Sequence, residues 1–238
     1  MNKTAVISGV GAGLGASLAR KYDREGYQVA LLARSADYLE ELAAEIQTTG
    51  ATAKGFPTDI GDPQKVGDSF AQIREQFGKV DILVNHAGNA AWGKFSELSP
   101  VDFERSWRIC AFGSFLCCQQ AVPDMVSSGN GTILFTGATS AVRGRAGALA
   151  FSSAKFAVRG LAWSLAREVG PKGIHVAHII IDGILDTPNL RSDMSPDAEE
   201  PLLNTDAVAD VYWSLVEQHK STWTFELDLR PHNEDFFS

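Results

Sequence analysis

Ser8-Gly9-Val10-Gly11-Ala12-Gly13-Leu14-Gly15 sets four glycines into an octapeptide that ends an apolar run and opens a segment of helical period. Glycine lets a backbone turn tightly and approach a pyrophosphate, whose charge then rests on free N–H groups at a helix N-terminus. A strand before such a turn and a helix after it are the context the pattern requires, and both are present. The next apolar run, Val29 to Ala33, ends in Arg34-Ser35, and no Asp or Glu appears until Asp37. An acid there would suit a free ribose hydroxyl; a guanidinium instead grips a 2′-phosphate with two parallel hydrogen bonds, and Ser35 can add a third. The residues therefore predict NADP(H) in preference to NAD(H), with Gly9, Gly11, Gly13, Leu14 and Gly15 around the pyrophosphate. The alternative is a solvated arginine at the start of the following helix.

The elements that would position these groups follow from apolar periodicity. Strand-like runs recur at Thr4 to Ser8, Gln28 to Ala33, Thr52 to Pro57, Val80 to Val84, Thr132 to Thr136 and His175 to Ile181, with a seventh from Trp223 to Leu229. Helical periods fill Leu14 to Glu25, Ser35 to Thr48, Pro63 to Phe77, Pro100 to Ser127, Phe151 to Val169 and Thr205 to His219. Strict alternation predicts an α/β fold, a single Rossmann-type doubly wound parallel sheet of about seven strands with helices on both faces. The expectation is one dinucleotide-binding domain over residues 1–238, with a substrate-loop insertion at about 189–204 and a C-terminal tail at about 231–238. Asn189 to Glu200 is the most polar stretch and reads as a loop over a ligand. The aromatics Trp213, Trp223, Phe225, Phe236 and Phe237 are expected on the sheet edge or a neighbouring subunit.

Composition limits the function classes. The chain has 238 residues, 45% of them apolar, enough for a sizeable core, and 21 basic against 29 acidic side chains leave a formal net charge of -8. Lys and Arg are scattered, which argues against nucleic acid as a partner. No apolar run reads as approaching the ~20 residues of a membrane span, and Met1-Asn2-Lys3 leaves no room for a secretory leader. Cys110, Cys117 and Cys118 lie in one helical stretch without paired His, so no metal site is expected, and reduced thiols point to the cytoplasm.

Several motifs, in order and spacing from Thr4 to about Pro188, resemble the short-chain dehydrogenase/reductase family. The turn matches that family's Thr-Gly-x-x-x-Gly-x-Gly with Ser8 for Thr. Asp59 in Thr58-Asp59-Ile60 matches the acid beside the adenine, Asn85-His86-Ala87-Gly88 matches Asn-Asn-Ala-Gly, and Asp182-Gly183-Ile184-Leu185-Asp186-Thr187 resembles Pro-Gly-x-x-x-Thr. The resemblance implies cofactor contacts at Asp59, Ile60, Asn85, Ala87, Gly88, Lys155, Gly183 and Thr187, a small-molecule substrate, and a homodimer or homotetramer built on the helices containing Cys110 to Cys118 and Phe151 to Val169. It also exposes a departure. The family's Tyr-x-x-x-Lys reads Phe151-Ser152-Ser153-Ala154-Lys155, its serine falls on Ala138 and its asparagine on Cys110. The only tyrosines are Tyr22, Tyr27, Tyr38 and Tyr212, so no shift of register restores the phenol. Only Lys155 keeps a family role, that of holding the ribose.

Replacement groups are sought nearby. His86 follows the fourth strand and brings an imidazole, a group that ordinarily titrates near neutral pH, although a hydrogen-bonded structural role is the alternative. Thr139 or Ser140 offers a hydroxyl beside Ala138. Arg143 and Arg145 are placed to bind a carboxylate or polarise a carbonyl, or else are solvated loop charges. Trp92 reads as a pocket wall or a core aromatic, Ser152 and Ser153 as helix caps, and Cys110 as a site thiol or a buried one. His175 and His178 alternate faces on the sixth strand as sheet residues. Three functions fit: an NADP(H)-dependent oxidoreductase with an altered proton-transfer apparatus, a catalytically silent NADP(H)-binding sensor or regulatory protein, and a non-redox isomerase or lyase on the same scaffold.

Overall fold

Alternation of strand-forming and helix-forming segments carries through into the computed structural model, which describes residues 3–48, 50–188, 190 and 201–233. In chain order the strands are β1 (Thr4–Ser8), β2 (Gln28–Ala33), β3 (Ala53–Pro57), β4 (Ile82–Asn85), β5 (Gly131–Thr136), β6 (Ile174–Ile181), β7 (Ile184–Leu185), β8 (Leu202–Leu203) and β9 (Glu226–Leu229). The helices are α1 (Leu14–Arg24), α2 (Ala36–Gln47), α3 (Pro63–Phe77), α4 (Pro100–Trp107), α5 (Gly113–Ser128), α6 (Leu149–Val169) and α7 (Thr205–Val216). Seven strands form one parallel sheet in the order β3-β2-β1-β4-β5-β6-β9. Every residue of β1, β4, β5 and β6 is buried, which is why these runs lack an in/out alternation. One core lies between the sheet and α1, α2 and α7, around Leu18, Leu39 and Tyr212. The other lies under α3, α5 and α6, around Phe70, Cys117 and Val158.

The order reverses between β1 and β4, since the chain runs outward from β1 to β3 and then returns to β1's other side. At such a switch point the loops leaving neighbouring strands diverge, and a ligand crevice opens at the carboxyl ends. Caps start the flanking helices where the sequence allows: Asp62 accepts from the N–H groups of Gln64 and Lys65, Ser99 from Asp102, and Asn204 from Asp206 and Ala207.

Four differences from the sequence expectation have physical causes. The single helix expected from Pro100 to Ser127 is broken into α4, a π-helical turn Arg108–Phe112, and α5. Such a turn shifts the register by one residue and often lies at a functional site; here it contains Cys110, whose carbonyl accepts the Ser114 hydroxyl at 2.7 Å. The whole run Pro100–Ser128 is long and apolar enough, by length and composition, to cross a membrane, contrary to the sequence reading; half of its most apolar window is buried inside the fold. The seventh strand shrinks to Glu226–Leu229 because Trp223 instead stacks flat on His175 at 5.0 Å and Phe225 meets Trp163 edge-on at 5.6 Å. At the base of the expected insertion β7 pairs with β8. Most of that insertion, together with Phe236 and Phe237, lies outside the described residues. Trp213 packs edge-on against Tyr22 and Tyr27, within the same chain.

Candidate active site

The glycine turn brings β1 and the segment after β4 into contact. Gly9 has φ +83°, and a Cβ there would fall 2.3 Å from the Ala87 Cα; no side chain fits. The N–H groups of Gly9 and Val10 both donate to the Leu32 carbonyl, at 2.8 and 3.1 Å, which locks the turn to β2. A Cβ on Gly13 would meet the Thr187 methyl at 2.6 Å, whereas Gly11 faces open space. Helix α1 then starts with no side-chain cap and no acid in its first turn, leaving amide donors and a positive dipole end for an anion.

Beyond the turn lies a cleft of about 760 Å³ that gathers Gly9, Arg34, Ser35, Asp59, Ile60, Ala87 and Gly88. Ser35 stands at the head of α2 without making a cap hydrogen bond, and the Asp59 carboxylate accepts from the Gly61 N–H at 3.0 Å. Across from them α4 and the π turn contribute Arg105 and Ile109. Sequence reading passed over Arg105. Its signal was the i, i+4 spacing with Ile109, but only the packing of α4 decides which helix face meets the cleft. Arg34 and Arg105 form no ion pair among the described residues, and both line one crevice with Asp59. Close-approach glycines, an open helix N-terminus and these cations fit the phosphates of a dinucleotide.

Several sequence candidates lie outside this cleft. Asn85 is buried, its amide donating to the Cys118 sulfur at 3.4 Å and its carbonyl oxygen without a partner. As the last residue of β4 it turns this amide toward α5. Gly183 has φ +151° and lies against Pro231, 2.8 Å from where a Cβ would be. Thr187 accepts from the Leu190 N–H at 3.2 Å.

Lys155 is buried on α6, and its ammonium donates to the Thr136 carbonyl at 2.7 Å. Burial pushes its pKa below the usual lysine value. One turn earlier, the Phe151 ring sits 5.5 Å from that Nζ. Cys110 is fully buried, its sulfur 3.4 Å from the Asn89 N–H. Burial raises the thiol pKa of both Cys117 and Cys118, which makes them inert core groups. His86 lies in a hydrogen-bonded chain, Nδ1 to the Thr136 hydroxyl at 3.1 Å and that hydroxyl to Tyr212 at 2.8 Å. Burial, and secondarily the Lys155 charge, lowers its pKa to about 4, so the imidazole is neutral at pH 7.

Two further expectations change. Ser152 and Ser153 do not cap α6: the helix begins at Leu149, and the Ser152 hydroxyl is buried without a partner among the described residues. Thr139 and Arg143, expected to face substrate, both turn to Asp182. The Thr139 hydroxyl donates to its carboxylate, Arg143 lies 3.6 Å away and Arg230 2.9 Å away. A carboxylate as buried as Asp182 needs such partners, and it recruits them from the loop beside it. Arg145 instead lies over the Trp92 ring at 5.4 Å, and Trp92 touches Phe151 with centroids 5.5 Å apart. Among the described residues no group of three His, Cys, Asp or Glu is placed to hold a metal ion.

Comparison with known proteins bears on this arrangement. A family model described as short chain dehydrogenase matches residues 3–197. The chain is 33% identical over 132 residues to a D-threitol dehydrogenase of Mycolicibacterium smegmatis, covering 56% of this chain and 51% of that protein. It is 31% identical over 201 residues to the 7alpha-hydroxysteroid dehydrogenase of Escherichia coli K12, covering 84% and 78%. The matches to the first of these curated relatives span about half of their length. Among solved structures, the alcohol dehydrogenase of the archaeon Thermococcus sibiricus, complexed with 5-hydroxy-NADP, superposes with a TM-score of 0.91 over 100% of both chains, at 26% identity. The parallel sheet, its switch-point cleft and these matches agree, and the chain belongs to the short-chain dehydrogenase family.

Proposed function

We propose that the protein is a cytoplasmic NADP(H)-dependent oxidoreductase whose substrate receives no proton from a tyrosine. The observation that carries this reading is the pairing of an anion-binding glycine turn with Arg34, Ser35 and Arg105 in one cleft. A 2′-phosphate brought between the two guanidiniums gains charge-assisted hydrogen bonds that a bare ribose does not. Gly9, Val10 and the head of α1 take the pyrophosphate, Asp59 and Ile60 the adenine side, and Lys155 the second ribose. Bound there, NADPH supplies a hydride. Lys155 holds the ribose from a buried site but has no phenol to act through, because Phe151 presents only a ring. An acid group is typically worth ~10²- to 10⁴-fold in rate, so the substrate is one that dispenses with it: a conjugated alkene, an iminium, or a carbonyl protonated by water. The exposed aromatic faces of α4 to α6, with Trp107, Phe115 and Phe156, suit a homodimer or homotetramer.

The test is NADPH oxidation across a panel of ketones, enones and cyclic imines. Turnover of enones or imines above ketones is the expected result; no oxidation of bound NADPH by any of them would overturn the reading. Phe151→Tyr combined with Ala138→Ser should then raise ketone reduction. A second reading, a silent NADP(H)-binding sensor or regulatory protein, draws on the Trp92–Phe151 contact, which places aromatic side chains where substrate would enter.

A further inference from the structure

Four side chains form a continuous column leading away from the cofactor lysine: the Lys155 ammonium over the Phe151 ring, Phe151 against Trp92, and Trp92 under the Arg145 guanidinium, each step 5.4 to 5.5 Å. The backbone holds it together, since the Gly93 N–H donates to the Gly147 carbonyl at 2.9 Å and so ties the loop carrying Trp92 to the loop carrying Arg145. Trp92 is 54% exposed, Arg145 is exposed, and Phe151 is half-buried between Trp92 and Lys155. The two loop arginines have different fates. Arg143 has its countercharge in Asp182, whereas Arg145 forms no ion pair among the described residues, in a chain whose formal net charge is -8. A guanidinium held over an indole face by a cation–π contact keeps its N–H donors free, and these can grip a carboxylate with two parallel bonds.

We infer that the substrate is a carboxylate with a flat or extended apolar body, its charge on Arg145 and its body against Trp92 and Phe151. This rests on the oxidoreductase reading above, with substrate taken beside Lys155 on its Phe151 side, and not on the silent-sensor reading. It assigns the charge to Arg145 alone, since Arg143 and Thr139 are engaged by Asp182.

A matched pair of probes tests it: naphthalene-2-carboxylate and naphthalene-2-carboxamide, titrated calorimetrically at low ionic strength into the full chain saturated with NADP+. The carboxylate should bind about five-fold tighter or better, the ratio expected for one exposed charge-assisted contact. Arg145→Ala should bring the two probes to equal affinity, and Arg145→Lys should keep part of the ratio. Tryptophan quenching by the carboxylate should shrink in Trp92→Phe, which locates the probe. Equal binding of the pair by the unaltered protein, binding of neither, or an unchanged ratio in Arg145→Ala would each overturn the inference. A separate NADPH fluorescence titration of the same protein, free of NADP+, keeps the outcomes apart: a protein that binds NADPH yet treats the probes alike loses only the carboxylate, whereas one that binds no NADPH loses the oxidoreductase reading.

Discussion

Two guanidiniums in one crevice make the clearest demand on a ligand. Each hydrogen bond from a charged donor to phosphate contributes about 1.5–3 kcal/mol. Arg34→Ala is therefore expected to weaken NADPH binding at least about ten-fold while leaving NADH within about two-fold, and Arg105→Ala to do the same to a lesser degree. Fluorescence titration with both nucleotides checks this; equal loss for both would place the arginines on the shared pyrophosphate. A second consequence concerns His178, whose side chain is fully buried with Nδ1 3.0 Å from Glu226 and Nε2 without a partner among the described residues. Burial lowers its pKa from 6.5 to about 4, against the upward pull of Glu226. The unfolded chain then binds the proton more readily between those values. The associated stability is complete above pH 6.5 and is lost as pH falls toward 4, on the order of 3 kcal/mol. Urea unfolding at pH 7.5 and pH 5 should show the loss, and His178→Asn should shrink it.

Strand, turn and helix at the N-terminus act as one unit, because the turn's glycines are held by β2 on one side and by Ala87 on the other. Gly9→Ala puts a Cβ into backbone at positive φ, with no flexible side chain to give way. The expected cost is about 2 kcal/mol or more, together with loss of nucleotide binding, read by thermal unfolding and by NADPH titration. Gly11→Ala, which meets nothing within 4 Å, should be nearly neutral in stability. The contrast separates glycines required by packing from those required only by the ligand. In the long helix the π turn has a similar logic: it re-aims Cys110 and Ile109 relative to Arg105, so an intact α-helix through that stretch would rotate part of the cleft wall away.

Across the molecule, apolar surface is concentrated on α4, α5 and α6, where Val101, Phe103, Trp107, Phe115, Phe156 and Trp163 are exposed. Trp107, Phe112 and Phe115 stack in sequence along this face, with centroids 6.1 and 6.3 Å apart. A patch of that kind is characteristic of an interface. Phe115→Glu and Phe156→Glu should each shift the protein to a smaller species in light scattering, with its far-ultraviolet circular dichroism unchanged. An unaltered mass in the double variant would remove this face as the interface.

The alternation of runs was enough to specify the parallel sheet, and the glycine octapeptide and Arg34, which local spacing singles out, line one cleft at its switch point. Residue types also raised the proposal that Phe151 stands where the resemblance expects a tyrosine. What one-dimensional spacing does not encode is which helix face meets the cleft and which neighbour a loop charge selects. Arg105 lines the cleft because α4 packs with that face inward, and the Asn85 amide turns to Cys118 because α5 covers the end of β4. Likewise Arg143 and Arg145, two residues apart and chemically identical, parted only when Asp182 came within reach of one and Trp92 under the other. Contacts between residues distant in the chain depend on packing and desolvation, and those are settled only when the whole chain has folded.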